Sequence, residues 1–189
     1  MSEVQWRSSG LPVTEAKDIK QSALTLDADV VIVGSGAGGA VAGYELARRG
    51  KKVVILEAGP YVPSKDFTER FPESLETLYQ DHGGQTNKSG DLLVLQGACV
   101  GGSTVVNGCV CFRTPDFILQ DWQRDFGLSE LTVDELAPYF DEVEKNLAVH
   151  DNGEHEIPRH GRLIRAGANR LGWSVKPLKR NIRQCGLTG

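Results

Sequence analysis

Six consecutive small residues, Gly34-Ser35-Gly36-Ala37-Gly38-Gly39, carry the clearest chemical signal in this chain. Their first, third and sixth positions are glycine, which fills the G-x-G-x-x-G template of a dinucleotide-binding turn. Gly34 is expected to form the tight turn, Gly36 to admit a pyrophosphate, and Gly39 to let a helix pack close to a strand. Glu57, followed by Ala58, stands about 20 residues later, where an acid hydrogen-bonds a ribose diol. That acid would repel a 2′-phosphate, which disfavours NADP.

The elements that must position these residues can be read on either side of them. Val30–Val33 is a short β-branched run that predicts a buried parallel strand, and Val53–Leu56 predicts a second. Ala40–Arg49 predicts the connecting helix, and Gly50 its end. The sequence therefore predicts strand, glycine turn, helix and strand in an α/β fold. A glycine turn in an unrelated α/β unit remains the alternative.

A second glycine-rich stretch follows the apolar strand predicted at Leu92–Leu95. It reads Gln96-Gly97-Ala98-Cys99-Val100-Gly101-Gly102-Ser103-Thr104-Val105-Val106-Asn107-Gly108. Paired glycines would let the backbone press against a flat or anionic ligand. Ser103 and Thr104 could donate to phosphate or cap a turn, and Asn107 could bond to polar ring atoms. A simple glycine-rich turn between two strands is the alternative, and this stretch alone does not decide between them.

The rest of the chain is predicted to be mostly helical. Residues 61–90 form an irregular excursion with short helical turns, and Cys109–Arg113 alternates as a strand does. Helices are predicted at 115–126, from Thr132 to about Leu147 and at 162–171, followed by a strand at Trp173–Val175. Several aromatic residues of the first two helices are expected in the core: Phe117, Trp122, Phe126, Tyr139 and Phe140.

Cysteines and histidines give weaker signals. The four cysteines, Cys99, Cys109, Cys111 and Cys185, are too few for a disulfide framework in a chain of this length. Cys109 and Cys111 could form a metal pair, but buried reduced thiols are the favoured interpretation. The remaining candidates are His150, His155 and His160, which lie among acidic residues. Their spacing of five puts no two on one helical face, so a solvated loop is favoured and no metal site is predicted.

Composition excludes several classes of function. The chain has 189 residues, of which 40% are hydrophobic and 24% charged, with a net charge of −4. It carries no basic stripe, so nucleic acid is not an expected partner. Its apolar runs are far shorter than a membrane span, and the first 20 residues lack the apolar core of a secretory leader. We therefore expect a cytoplasmic protein with a polar N-terminal arm at residues 1–28 and one domain at residues 29–189.

The two glycine stretches together carry a family resemblance. DVVIVGSGAGGAVAGYELARRGKKVVILEAGP, from Asp29, resembles the N-terminal FAD-binding unit of the glucose–methanol–choline (GMC) oxidoreductases. GACVGGSTVVNG is similar to the second signature of that family. Three further segments also resemble the bacterial dehydrogenase branch of the family: FRTPDFILQDWQRDFGL, DELAPYFDEVE, and RLGW before RNIRQC. The resemblance covers nearly the whole chain from Asp29 onward.

The resemblance implies a Rossmann-like FAD-binding domain with a parallel sheet core, incomplete and with helical excursions. It implies that Gly34, Ser35, Gly36, Ala37, Gly38 and Gly39 surround the FAD pyrophosphate, with Glu57 and Ala58 at the adenosine ribose. It also implies that the flavin side is lined by Val100, Gly101, Gly102, Ser103 and Asn107. Members of the family oxidise an alcohol carbon: a base takes the hydroxyl proton and hydride goes to flavin N5. A small-molecule alcohol is the implied substrate, and the electron acceptor stays open.

Two departures from the family pattern affect the expected activity. Ala98 stands where the family usually has Arg, Lys or Asn, so one polar contact to the cofactor is expected to be lost. Family members are also far longer, and their catalytic His lies near a C-terminus with no counterpart here. None of the four histidines of this chain matches it, so no catalytic residue is assigned. We expect an N-terminal fragment that binds FAD weakly and is inactive alone.

Two other functions remain as alternatives. An NAD-dependent dehydrogenase could use the same fold, although the stretch containing Val100–Asn107 has no role in a nicotinamide site. A non-catalytic FAD-binding remnant is the other alternative, because the implied catalytic segment has no counterpart in this chain.

Overall fold

The computed structural model describes residues 13–20, 23–68 and 70–182. The chain divides into two units, Met1–Asn107 and Gly108–Gly189. The arm predicted at residues 1–28 is described only in part, with a single 3-10 turn at Ala16–Asp18. Cys185 lies outside the described residues.

The first unit is built around two parallel strands joined by a helix. Strand β1 (Val30–Val33) pairs in parallel with β2 (Val53–Leu56), with Val30 opposite Val53. Helix α1 (Ala37–Ala47) connects them. Both strand bounds are as the sequence predicted, whereas the helix begins at Ala37 rather than at Ala40. The reason is that Gly36 is already the extended N-cap residue, so the helix starts inside the glycine motif.

One face of this sheet is covered and the other is open. Gly43 of α1 is buried, and a β carbon on it would lie 3.0 Å from Ile55 Cδ1 and 3.5 Å from Ile32 Cδ1. The helix therefore packs on that face. On β1, Val31 and Val33 are exposed, the latter by 85%. The prediction that both strands are buried is thus wrong, because α1 covers one face, whereas the side chains of Val31 and Val33 on the opposite face are exposed.

Shorter elements complete the first unit. They are helix α2 (Phe71–Leu78) and the antiparallel strands β3 (Gln85–Thr86) and β4 (Leu93–Val94). The apolar run predicted as a strand at Leu92–Leu95 thus forms a two-residue strand. It leads into the second glycine stretch, which contains the buried Cys99. Short 3-10 turns lie at Ser64–Asp66, Gln80–Gly83 and Gly102–Thr104.

Between residues 108 and 182 the second unit contains three α-helices and one strand pair. The helices are α3 (Asp116–Phe126), α4 (Val133–Asn146) and α5 (Arg159–Arg170), and strand β5 (His150–Asp151) pairs antiparallel with β6 (Lys179–Arg180). The three predicted helices are confirmed to within a few residues. The Thr132 hydroxyl caps α4 by accepting a hydrogen bond from the Glu135 N–H at 3.2 Å, as the capping-box pattern indicated.

Two predicted strands of this unit are wrong. In the segment Cys109–Arg113 only Val110 pairs, through an isolated bridge to Arg180. Cys109 has a left-handed φ of 59°, which interrupts the extended conformation that a ladder needs. Trp173–Val175 is irregular, and the pairing residues are instead those of β6. The segment with Cys109 and Cys111 is only half-buried, so the prediction of buried thiols at these two positions is wrong as well.

The predicted aromatic core of this unit is also largely exposed. Leu119 is the buried side chain of α3, at 1% exposure, whereas Phe117, Phe126 and Tyr139 are exposed. The apolar stripes of α3 and α4 are wider than the surface that the described elements of this unit cover. Arg113 connects α4 to the preceding segment, donating to Glu144 at 2.6 and 2.8 Å and to Asp141 at 2.6 Å.

The described residues contain neither a candidate membrane-spanning helix nor a candidate group of metal-binding side chains. None of the helices within them has the length and hydropathy that a bilayer span requires. In the same residues no group of three or more His, Cys, Asp and Glu side chains is arranged to hold a metal ion. The three histidines considered as ligands lie in three different elements: His150 in β5, His155 in the turn Glu154–Glu156, and His160 in α5.

Candidate dinucleotide-binding cleft

The first glycine turn forms where β1 ends and α1 begins. Gly34 adopts a left-handed φ of 92°, and its N–H donates to the Leu56 carbonyl oxygen of β2 at 2.7 Å. Gly36 then caps α1 with extended backbone, and no side chain of the described residues makes a capping hydrogen bond there. The first N–H groups of α1 therefore lack intrahelical acceptors and lie at the positive end of the helix dipole. This is the arrangement that binds phosphate groups.

Two glycines of this turn have opposite steric surroundings. A β carbon on Gly39 would overlap the Gly34 carbonyl oxygen and lie 3.2 Å from Ile32 Cγ2, so the close packing of α1 on β1 requires glycine. A β carbon on Gly36 would meet no atom within 4 Å and would project into open space. The absence of a side chain at Gly36 thus keeps a surface accessible to a ligand.

The second glycine stretch turns back onto the first. Gly101 and Gly102 have left-handed φ values of 96° and 55°, and a 3-10 turn follows at Gly102–Thr104. A β carbon on Gly102 would lie only 3.1 Å from Gly36 Cα. The two motifs, which lie more than 60 residues apart in the sequence, therefore meet backbone to backbone.

Hydrogen bonds within the loop hold the second turn in shape. The Thr104 hydroxyl donates to the Gly101 carbonyl oxygen at 2.6 Å, and Asn107 Nδ2 donates to the Thr104 carbonyl oxygen at 2.7 Å. The Gly97 N–H donates to Ser103 Oγ at 3.1 Å. Ser103 thus accepts from its own loop, and its O–H remains a donor that can reach an acceptor in the cleft.

Glu57 lies at the carboxyl end of β2, where its carboxylate is held by backbone and side-chain donors. Its Oε2 accepts from the Ser35 N–H at 2.8 Å and from the Ser35 hydroxyl at 2.7 Å, and its Oε1 accepts from the Gly59 N–H at 2.9 Å. Burial pushes the pKa of Glu57 upward, but the hydrogen bonds from Gly59 and Ser35 outweigh it and hold the pKa below its ordinary value. Glu57 is therefore ionised at neutral pH.

Cys99 lies in the second stretch, close enough to Glu57 to sense its charge. Burial, reinforced by the Glu57 carboxylate, raises the pKa of the Cys99 thiol. The side chain is 1% exposed and its Sγ lies 3.9 Å from the Gly102 carbonyl oxygen. Cys99 is thus a neutral packing residue beneath the second turn.

Both glycine stretches line one cleft of about 490 Å³. Seven of the sequence-predicted site residues line it: Gly34, Gly36, Ala37, Glu57, Gly102, Ser103 and Asn107. Thr104 lines it as well. The structure therefore brings the dinucleotide motif and the second stretch to the same surface.

The other predicted site residues lie beside the cleft rather than on its wall. Ser35 and Gly101 are joined by a hydrogen bond from the Gly101 N–H to Ser35 Oγ at 2.9 Å, and Val100 donates its N–H to the Pro60 carbonyl oxygen at 3.0 Å. Gly38 and Gly39 lie in the first turn of α1, and Ala58 follows Glu57 in the chain. These residues lie next to the lining residues, either in sequence or through hydrogen bonds, without lining the cleft themselves.

Two residues that the sequence interpretation left without a role, Gln96 and Gly97, also line the cleft. They follow β4, which pairs with β3 in a separate antiparallel sheet. A β carbon on Gly97 would overlap the Gly102 carbonyl oxygen. Their place at the start of the glycine stretch, just past a strand, is the signal that could have identified them.

The residues present fit a dinucleotide. The helix N-terminus offers donors to a pyrophosphate, the bare Gly36 allows its close approach, and ionised Glu57 can accept from a ribose diol. Among the described residues that line the cleft, Glu57 is the only one with a titratable side chain. The described lining therefore offers a ligand one carboxylate together with backbone and uncharged side-chain polar groups.

Comparison with known families agrees with this geometry. A family model described as GMC oxidoreductase matches residues 75–189, and one described as FAD binding domain matches residues 29–67. In fold the chain is similar to the crystal structure of pyridoxine 4-oxidase from Mesorbium loti. That match has a TM-score of 0.61 and 19% identity, and it covers 84% of this chain and 37% of the other.

Curated relatives match over most of this chain but over a small part of their own length. A long-chain-alcohol oxidase from Arabidopsis thaliana is 34% identical over 91% of this chain and 23% of its own. An uncharacterised GMC-type oxidoreductase from Mycobacterium tuberculosis is 38% identical over 84% of this chain and 25% of its own. The chain thus spans about a quarter of the length of these relatives.

Proposed function

Because this chain belongs to the GMC oxidoreductase family, a family of FAD-binding flavoproteins, we propose that it forms the cofactor-binding part of an enzyme that oxidises the CH–OH group of an alcohol. The observation that carries the proposal is the meeting of the two glycine stretches in one cleft, with Gly102 against Gly36 and Glu57 on the same wall. A nicotinamide dinucleotide would use the first stretch and leave the second without a role.

Each part of the cleft has a proposed partner in FAD. The backbone of Gly34–Gly39 and the N-terminus of α1 hold the pyrophosphate, and Glu57 accepts from the adenosine ribose. The second stretch, with Gly102, Ser103 and Asn107, lies along the flavin side. Residues 29–189 are proposed as an FAD-binding domain of the family, preceded by an arm at residues 1–28.

Bound FAD supplies an acceptor for the hydride of the alcohol carbon at flavin N5. This chain's own residues contribute binding and orientation. Glu57 is the one titratable side chain on the wall of the cleft in the described residues, and hydrogen bonds to Ser35 and Gly59 already occupy it. We therefore propose that the base for the hydroxyl proton comes from outside this cleft.

The class of substrate is inferred from the relatives. One of them is named a long-chain-alcohol oxidase, and another, from Streptomyces lividus, is named a 6'''-hydroxyparomomycin C oxidase. Both names support a small-molecule alcohol as the substrate of the whole enzyme. Dehydrogenase and oxidase activities are both consistent with the proposal.

A competitive titration tests the proposed cofactor. The purified chain is titrated with FAD, NAD⁺ and NADP⁺, with flavin fluorescence and calorimetry as readouts. We expect saturable binding of FAD with a dissociation constant in the micromolar range, and much weaker binding of both nicotinamide dinucleotides. Tighter binding of NAD⁺ than of FAD would establish the nicotinamide alternative in place of this proposal.

A further inference from the structure

The hydroxyl of Ser35 connects three segments of the first unit. It donates to Glu57 Oε2 at 2.7 Å and accepts from the Gly101 N–H at 2.9 Å. A hydroxyl has a single hydrogen, and that of Ser35 is donated to Glu57. In the hydrogen bond between Ser35 and Gly101, the Gly101 N–H is therefore the donor. The result is a directed chain of hydrogen bonds from Gly101 through Ser35 to Glu57.

This chain of bonds fixes which oxygen of Glu57 a ligand can use. Oε2 already accepts two hydrogen bonds from Ser35, from its N–H and from its O–H. Glu57 lines the cleft, whereas Ser35 is absent from the described residues that line it. Ser35 therefore holds the carboxylate from behind and fills the two lone pairs of Oε2, whereas Oε1, which accepts from the Gly59 N–H at 2.9 Å, still has a lone pair for the ligand.

Resting on the proposed function, we propose that Ser35 is a positioning residue that orients Glu57 toward the adenosine ribose and couples it to the second glycine turn. The coupling follows from Gly101, whose N–H would lose its acceptor if the Ser35 hydroxyl were removed. Gly101 begins the turn that places Gly102 against Gly36. Adenosine binding at Glu57 and the shape of the flavin-side turn thus depend on the same hydroxyl.

Ser35→Ala removes the hydroxyl, Ser35→Thr retains it, and Thr77→Ala is a matched control. The Thr77 hydroxyl donates to the Glu73 carbonyl oxygen within α2 at 2.8 Å, away from the cleft. We expect Ser35→Ala to weaken binding of both FAD and ADP by roughly tenfold, as the loss of a charge-assisted hydrogen bond does. Ser35→Thr and Thr77→Ala should each stay within about twofold of the wild type.

A double-mutant cycle separates positioning from general stability. Because Ser35 acts through Glu57, adding Ser35→Ala to Glu57→Gln should weaken ADP binding much less than Ser35→Ala does alone. Equal losses in the two backgrounds would overturn the inference. So would an unchanged affinity of Ser35→Ala for ADP.

Hydrogen exchange of the Gly101 amide tests the same bonds without any ligand. Exchange should be at least about tenfold faster in Ser35→Ala than in the wild type and unchanged in Thr77→Ala. Should circular dichroism show Ser35→Ala to be unfolded, Ser35→Gly takes its place, because it removes the same hydroxyl, which is the acceptor of the Gly101 N–H. Unchanged exchange at Gly101 in that variant overturns the inference. If the wild type binds neither FAD nor ADP, the proposed function fails, whereas the exchange measurement still decides the role of Ser35.

Discussion

The backbone of Gly59 passes so close to that of Ala98 that a β carbon on Gly59 would overlap the Ala98 carbonyl group. It would also lie 2.5 Å from the Cys99 N–H nitrogen. Gly59 directly follows the Glu57–Ala58 end of β2, and its N–H donates to Glu57 Oε1. The segment that carries Glu57 is thus fixed against the second glycine stretch by close backbone contact between Gly59 and Ala98. This contact leaves no room for a side chain at position 59.

Replacing Gly59 with alanine should destabilise the first unit. The clash is with backbone atoms, which cannot move aside as a flexible side chain can, so we expect the free energy of unfolding to fall by about 2–3 kcal/mol. Urea denaturation monitored by circular dichroism measures this. Gly167→Ala, in the middle of α5 with nothing near its β carbon, is the control and should be neutral or slightly stabilising. A Gly59→Ala variant as stable as the control would contradict the close backbone contact between Gly59 and Ala98.

Gly36 and Gly39 should respond differently to the same substitution. A β carbon at Gly36 enters open space on the wall of the cleft, so Gly36→Ala should keep the stability of the wild type and lose FAD affinity by tenfold or more. A β carbon at Gly39 overlaps the Gly34 carbonyl oxygen, so Gly39→Ala should lose both. Thermal melts and FAD titrations of the two variants check the contrast. Retained FAD binding in Gly36→Ala would count against the pyrophosphate position.

Acid should remove the stabilisation that Glu57 provides. The pKa of Glu57 in the folded chain lies below the ordinary value of 4.5, because hydrogen bonds from Gly59 and Ser35 outweigh the effect of burial. A depressed folded-state pKa contributes stability that is fully present above the unfolded-state pKa and is lost as the pH falls through the folded-state pKa. The stability difference between wild type and Glu57→Gln should therefore be constant near neutral pH and shrink below about pH 4.5.

Urea denaturation of both proteins between about pH 3 and 7 measures that difference. Glu76→Gln, on the exposed side of α2, controls for the removal of one negative charge. A difference that grows on acidification would mean that Glu57 is destabilised, rather than stabilised, in its charged form.

These 189 residues should not oxidise alcohols on their own. Glu57 is the one titratable group that lines the cleft among the described residues, and its carboxylate already accepts hydrogen bonds from Ser35 and Gly59. With FAD, a panel of alcohols and an artificial electron acceptor, we expect no reduction of the acceptor above the rate without alcohol. Alcohol-dependent turnover that Gly36→Ala abolishes would contradict this prediction.

Local patterns were sufficient to predict the centre of the first unit. Val30–Val33 and Val53–Leu56 are strands with the predicted bounds, since short β-branched runs on either side of a glycine turn admit few other structures. Cys109–Arg113 shows the limit of such patterns. Its alternation is typical of a strand, but the left-handed φ of Cys109 and the two-residue length of β6 leave only Val110 paired.

The sequence predicted the two glycine motifs that line the cleft, but not the contacts between them. Glycine spacing identified Gly36 and Gly102 separately, and only the folded chain shows that they touch. The bond between Ser35 and Gly101 joins residues 66 positions apart, and serine in a glycine turn is common enough to carry no signal of its own. The burial of β1 was overestimated because sequence alone does not reveal which face of a two-stranded sheet is covered.

The central claim is that both glycine stretches bind one FAD molecule in a single cleft. Backbone amide resonances followed by NMR during an FAD titration test it most directly. We expect the amides of residues 34–39, Glu57 and residues 101–107 to shift together and to saturate with one dissociation constant. Shifts confined to residues 34–39 and Glu57, with residues 101–107 unchanged, would contradict the account and indicate a ligand that uses the first stretch alone.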